Sequence, residues 1–149
     1  MPRPKKNRKV HEPPLFVEFK PVGIQGSLLD KIVLTIDEYE AFRLADYEGL
    51  SQEEAAEEME ISRPTFARLI ESARKKVAES IVRGKKLIIS GGNVEFRQNI
   101  VRCFNCGSLF RVEFGEKMNK CPHCGSTNLV YMGHRGGFGY GFKHKHKNI

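Results

Sequence analysis

The stretch LSQEEAAEEMEISRPTFARLIESARKK, residues 50–76, constrains the fold more than any other part of the sequence. Ser51 followed three residues later by Glu54 is a capping box, in which each side chain satisfies the other residue's free backbone N–H at a helix start. Ala55, Ala56 and Met59 then recur at helical spacing, and Ile61 falls in a short turn where it can plug the angle to a second helix. Ser62 is a good N-cap for that helix, and Pro64 is tolerated in a first turn because it has no N–H to lose there. Phe66, Leu69, Ile70, Ala73, Val77 and Ile81 return at steps of three and four and define its core-facing side, and Gly84 supplies a left-handed stop. Two helices joined this tightly, the first acidic and the second basic, predict a helix-turn-helix.

In that motif the N-terminal half of the second helix reaches base edges, and here Arg63, Thr65, Arg68 and Ser72 point away from the core face. Arg74, Lys75 and Lys76 come later, where the helix leaves the groove and runs along phosphate. An amphipathic hairpin with a solvated basic face is the bland alternative. The charge distribution argues against it. Residues 37–60 carry ten acids and one base, Arg43, which is expected to pair within the chain; residues 63–86 carry eight bases against Glu71 and Glu79. Formal net charge is +7, and a segregated charge of this kind is the footprint of a polyanionic partner.

All four cysteines fall in two knuckles, Cys103-Phe-Asn-Cys106-Gly-Ser and Cys121-Pro-His-Cys124-Gly-Ser, separated by fourteen residues. Thiolates two residues apart in a tight turn can converge on one tetrahedral ion, and the following Gly lets the backbone curl toward the sulfurs. The spacing predicts a zinc ribbon with one structural Zn2+, iron being the competing metal. Disulfides and a lone redox pair are the alternatives, disfavoured by an intracellular setting and by the matched pairs. A closed four-cysteine site leaves no position for substrate, and His123 is read as a solvent-facing loop residue. Residues 108–114 alternate like a strand, with 128–132 as its partner.

Thr35 with Glu38 forms a second capping box, opening a helix through about residue 47. Residues 15–21 read as a short strand or extended segment; residues 86–89 and 94–97 read as a strand pair about a Gly91-Gly92 turn. The opening MPRPKKNRKV holds five positive charges, among them Arg3, Lys5, Lys6 and Arg8, and its prolines keep it extended. A basic flexible arm over residues 1–14 is expected, able to follow phosphates or enter a minor groove. The tail, residues 133–149, is rich in Gly, His and Lys and is expected to be disordered. Its interleaved aromatics could stack on nucleic acid, and His144 and His146 could bind stray metal.

The quoted residues 50–76, with MPRP and its basic run, FKP at 19–21, LTIDEYEAFRLADYEGL before the hairpin and Gly91-Gly92 after it, resemble an uncharacterised family of prokaryotic proteins predicted to bind DNA. The resemblance covers roughly the first ninety residues. The hairpin is similar to the helix-turn-helix of sigma-factor region four, which implies groove-facing positions at Ser62, Arg63, Thr65, Ala67 and Arg68. Pro64 and Ala67 depart from the polar residues usual there, so promoter specificity does not transfer.

The sequence therefore predicts a mainly α helix-turn-helix domain over residues 15–98 and a small β zinc ribbon over 99–132. The expected function is sequence-specific binding of double-stranded DNA and transcriptional regulation, with Arg63, Thr65 and Arg68 reading bases and Ser62 and residues 74–76 on phosphate. One module offers few base contacts, which favours a homodimer on a two-fold site, or an arm and ribbon that extend a monomer's footprint. A protein adaptor docking through the ribbon, and RNA binding, are the alternatives. There is no phosphate-cradling loop, nucleophile motif or open metal position, so the sequence points away from an enzyme. No apolar run has the length of a membrane span and no hydrophobic segment follows the basic N-terminus, which implies a cytoplasmic, nucleoid-associated protein.

Overall fold

In the computed structural model, which describes residues 7–113, 115–134 and 137–138, both capping boxes form. The Thr35 hydroxyl accepts from the Glu38 N–H while the Glu38 carboxylate accepts from the Thr35 N–H, opening α1 (Ile36–Phe42). Ser51 and Glu54 do the same for α2 (Gln52–Met59). Ser62 caps α3 (Arg63–Arg83), Pro64 sits in its first turn, and Gly84 ends it at φ +66°. After α1 the chain keeps turning from Arg43 to Tyr47 with the wider π spacing, the Glu48 N–H reaching back five residues to the Arg43 carbonyl. Between α2 and α3 only residues 60–62 remain. Glu60 takes the left-handed conformation (φ +55°) and the Ile61 N–H closes on the Ala56 carbonyl.

Two apolar clusters hold these helices. Ala41, Leu44, Ala55, Ala56, Met59, Phe66 and Ile70 form one between the three helices, with Ile61 packed against it in the turn. The other joins Ala73 of α3 and Ile36 of α1 to strand residues Val10, Leu34, Leu87, Ile89, Val94 and Phe96. α3 thus carries both cores on one stripe, Phe66 and Ile70 in the first and Ala73 in the second. That stripe departs from the sequence expectation at its end. Ser80 is buried, whereas Ile81 is 77% exposed, because the buried line continues from Ala73 and Val77 to position 80.

The N-terminal domain, expected to be mainly α, carries three helices and small sheets. β1 (Arg8–Val10) pairs in parallel with β5 (Val94–Phe96). β4 (Lys86–Ile89) is flanked by β2 (Glu18–Phe19), antiparallel, and by β3 (Lys31–Leu34), parallel. The helices are the crossover between β3 and β4, which parallel neighbours need. The strand pair expected across Gly91-Gly92 does not form: β4 and β5 lie in different sheets. Instead the two glycines bring the chain against the start of α1, where the Gly91 carbonyl accepts from Ile36 N–H. A Cβ at Gly92 (φ +96°) would sit 2.8 Å from the Asp37 carboxylate.

The C-terminal sheet is antiparallel, with β6 (Gln98–Cys103) at its centre between β7 (Leu109–Glu113) and β8 (Leu129–Tyr131). The strands expected to pair with each other therefore both pair with β6. Its run of buried residues 99–101 lacks the strict alternation that would have marked it in the sequence. β9 (Gly133–His134) and β10 (Gly137–Phe138) make a short antiparallel pair inside the stretch expected to be disordered. The remainder of that tail, including His144 and His146, lies outside the described residues.

Candidate nucleic-acid interface and metal centre

Opposite the buried stripe of α3 lie Pro64, Arg68, Glu71 and Lys75, all exposed and spaced at three and four. Arg63 is exposed at the helix start on the side toward α2, where it approaches Glu53 at 3.4 Å, a solvent-bathed pair of small energetic consequence. Ser62 donates its hydroxyl to Thr65 Oγ1, and Arg68 leans toward the same oxygen at 3.5 Å. Ala67 is half-buried. The exposed acids Glu53, Glu54, Glu57 and Glu58 belong to α2, so the charge segregation of the sequence becomes a segregation between two helices.

The basic run of α3 divides. Lys75 is exposed with no ion-pair partner among the described residues. Arg74 makes a bidentate pair with Asp46 (2.9 and 2.7 Å), which raises its pKa and lowers that of Asp46. Lys76, expected against phosphate, turns inward to the Glu38 carboxylate. Arg8, expected on the flexible arm, sits in β1 with its guanidinium 3.2 Å from the buried Asp37 carboxylate. Arg3, Lys5 and Lys6 lie outside the described residues.

Three buried acids of α1, Asp37, Glu38 and Glu40, anchor this arrangement. Burial pushes the Glu38 carboxyl up, but the Lys76 ammonium, the Ser72 hydroxyl and the Thr35 donors outweigh it and hold the pKa below its usual value. Asp37 receives Arg8, and Glu40 receives Arg43 and the His11 N–H. Arg43 also lies 3.5 Å from Glu48, the intramolecular pairing expected of it. Glu38 was legible only as a capping residue; nothing in sequence marks a partner thirty-eight positions away.

The four cysteine sulfurs converge, all within 4.8 Å of one another. Cys103 and Cys124 are 3.6 Å apart, Cys106 and Cys121 3.7 Å. A disulfide needs about 2.05 Å. A tetrahedral ion with metal–sulfur bonds of about 2.3 Å spaces its ligands about 3.8 Å apart, so the set fits a four-thiolate metal ion. The knuckles are built alike. Cys103 N–H bonds Ser108 O and Cys121 N–H bonds Ser126 O, while Gly107 and Gly125, at φ +80° and +76°, return their N–H groups to the Cys103 and Cys121 carbonyls. His123 is an exposed loop residue whose backbone N–H points at the Cys121 sulfur. Asn105, which the sequence reading passed over, donates its side-chain amide to Cys124. That bond and the Ser126 N–H lower the Cys124 pKa to about 6, favouring the ligating thiolate.

Residues 8–17, read as mostly arm, fasten the two parts together. Val10, Pro13 and Pro14 are fully buried. Glu12 accepts a bidentate bond from Arg111 of β7, and the Arg102 guanidinium of β6 stacks 5.0 Å from the Phe16 ring centroid. Arg97, at the junction, donates to the Glu58 carbonyl at the end of α2 and pairs with Glu60. Asn99 of β6 exchanges two 2.9 Å bonds with the Gly133 backbone.

Residues 1–97 match the family described as protein of unknown function DUF134, a match that stops where β6 begins. A UPF0251 protein of Chloroherpeton thalassium is 51% identical over 72% of this chain and 71% of its own. Another from Thermoanaerobacter pseudethanolicus is 56% identical over 62% of this chain and 79% of its own, and one from Pelotomaculum thermopropionicum 49% identical over 72% and 81%. No solved structure matches. Among the described residues no helix is long and apolar enough to cross a membrane.

Proposed function

The chain belongs to the DUF134 family, and we propose that it binds double-stranded DNA through a helix-turn-helix formed by α2 and α3, in the manner of a transcriptional regulator. One observation carries the reading: Arg68 and Lys75 stand on the face of α3 directly opposite its buried stripe, with Arg63 and the Ser62 cap at the same helix's start. A helix N-terminus laid in the major groove presents donors to base edges and phosphates together. Arg63, Thr65 and Arg68 then read bases, with Ser62 and Ala67 against the groove wall. Lys75 and the basic residues Arg3, Lys5 and Lys6 hold phosphate. Arg74 joins them by exchanging its exposed Asp46 partner for phosphate, a small cost for a surface pair. Lys76 and Arg8 hold the fold.

The four cysteines bind one structural zinc ion in this reading. It supplies four metal–thiolate bonds that stand in for a core and no open position for chemistry. Selection of bound sequences from a random duplex pool, followed by titration on the selected site, tests the whole proposal. Enrichment of a defined motif supports it, and equal affinity for all duplexes sinks it.

A second reading has its own observation. Phe16 is 56% exposed over Arg102, and Leu109, opposite Arg102 in the sheet, is 39% exposed, an apolar edge on the ribbon suited to a protein partner. A shallow salt dependence on duplex DNA favours that adaptor role, and competition between duplex DNA and RNA separates the RNA alternative.

A further inference from the structure

The C-terminal end of α3, beyond the residues assigned to DNA, carries an exposed apolar surface. Ile81 and Val82 are 77% and 79% exposed on its last turn. On one side a groove of about 260 Å³ runs between Ile81 and Phe19–Pro21; on the other, a groove of about 560 Å³ lies between Val82 and Leu28–Asp30. Phe19, Leu28 and Val22 add 52%, 74% and 99% exposed side chains. β-Branched residues at exposed helical positions gain nothing in helix propensity, and several exposed apolar side chains gathered about one helix end, with a polar groove beside them, suit an interaction site.

We propose that this surface is the two-fold interface between two copies of the chain. A standard interface takes about 800 Å² from each partner. These five apolar side chains at these exposures, with the stems of Lys20 and Lys85 beside them, supply area of that order. The charges at its rim are self-complementary. Arg83 and Asp30 line the same groove, and among the described residues neither is within ion-pair distance of an opposite charge. A two-fold axis brings Arg83 of each copy to Asp30 of the other, since in such a contact residue i meets j and j meets i.

The spacing also suits duplex DNA, an argument that rests on the function proposed above, whereas area and charge do not. Val82 lies fourteen positions beyond Arg68, about 21 Å along the helix at 1.5 Å per residue. Two copies joined at Val82 set their Arg68 turns at most about 42 Å apart, and a moderate tilt of each helix brings them to the 34–36 Å between successive major grooves on one face of DNA.

Sedimentation equilibrium of the full metal-loaded chain without DNA is the test, at about 50 µM, above the micromolar end of affinities for interfaces this size. The dimer mass is expected. Val82→Lys, at an exposed position, should give the monomer with unchanged metal content and circular dichroism. Arg83→Asp or Asp30→Arg should each weaken association about tenfold, and the double swap should restore it. A monomeric wild type, a dimer indifferent to Val82→Lys, or a double swap without rescue overturns the interface. A dimer that selects no DNA sequence would leave the interface standing and remove the proposed function; a sequence-specific monomer would do the reverse.

Discussion

Lys76 meets Glu38 across the contact between α3 and α1, Nζ to Oε1 2.7 Å, and the same carboxylate also accepts from the Ser72 hydroxyl and the Thr35 N–H. The side chain of Glu38 is 8% exposed and that of Lys76 32%, so the ion pair stands at the edge of the core. It fixes α3, the proposed reading helix, against α1. The cation expected against phosphate is thus held within the chain.

Stability should follow the titration of Glu38. Its folded pKa lies below the usual 4.5, so the unfolded chain takes up the proton first as pH falls. The contribution is complete above about pH 4.5 and is lost as pH drops through the folded value. Glu38→Gln should cost about 1.5–3 kcal/mol at pH 7, the range for hydrogen bonds to a charged group, and should flatten the acid limb. Urea denaturation between pH 3 and 7 measures both, and an unaltered acid limb would show that other carboxylates govern it.

Neighbouring lysines should behave differently. Lys75→Ala should lower the salt slope of DNA binding by roughly one unit and leave stability alone. Lys76→Ala should lower the denaturation midpoint and leave the slope nearly unchanged, because its ammonium is held by Glu38. Equal slope changes for both would mean that Lys76 releases Glu38 on DNA.

What the sequence disclosed and what it hid divide by range. Caps, helix ends and knuckles are settled within a few residues, so Ser51, Glu54, Ser62, Gly84 and the four cysteines were legible from their neighbours alone. Strand partners are not: β4 pairs with β3 across the whole helical crossover, and β1 finds β5 more than eighty residues away. Composition misled most at residues 8–14, where basic residues and prolines read as an arm. Val10 is an apolar strand residue, and Pro13 and Pro14 are buried against the junction. The surface charges needed partners that only the fold supplies: Arg8 and Lys76 find them in Asp37 and Glu38, and Lys75 has no ion-pair partner among the described residues.

Metal removal should unfold the C-terminal sheet. A four-thiolate zinc site contributes on the order of 10–16 kcal/mol at neutral pH, more than so small a sheet gains from its own burial. Chelation or Cys121→Ser should collapse the dispersed amide signals of residues 98–132 and leave those of the three helices. Arg97 and Glu12 tie the parts together, so the helical domain should also lose some midpoint stability. A purified chain with neither zinc nor iron and intact signals there would refute the metal centre.

The proposed reading face contains one anomaly that makes a sharp test. Glu71 is exposed between Arg68 and Lys75, with no ion pair among the described residues, where a carboxylate repels phosphate. In the major groove, however, it can accept from cytosine N4, while Arg68 can fork onto guanine O6 and N7. Arg68→Ala and Arg63→Ala should each cost about 1–3 kcal/mol on the selected site and far less on random duplex. Lysine should substitute poorly because it lacks the planar fork. Glu71→Ala should move in two directions at once, tightening binding to random duplex by removing repulsion and relaxing preference at one base pair of the selected site. Fluorescence anisotropy on the selected site, its single-base variants and a random duplex reads all three. If Glu71→Ala tightens every duplex alike, the carboxylate reads no base and α3 meets only the backbone.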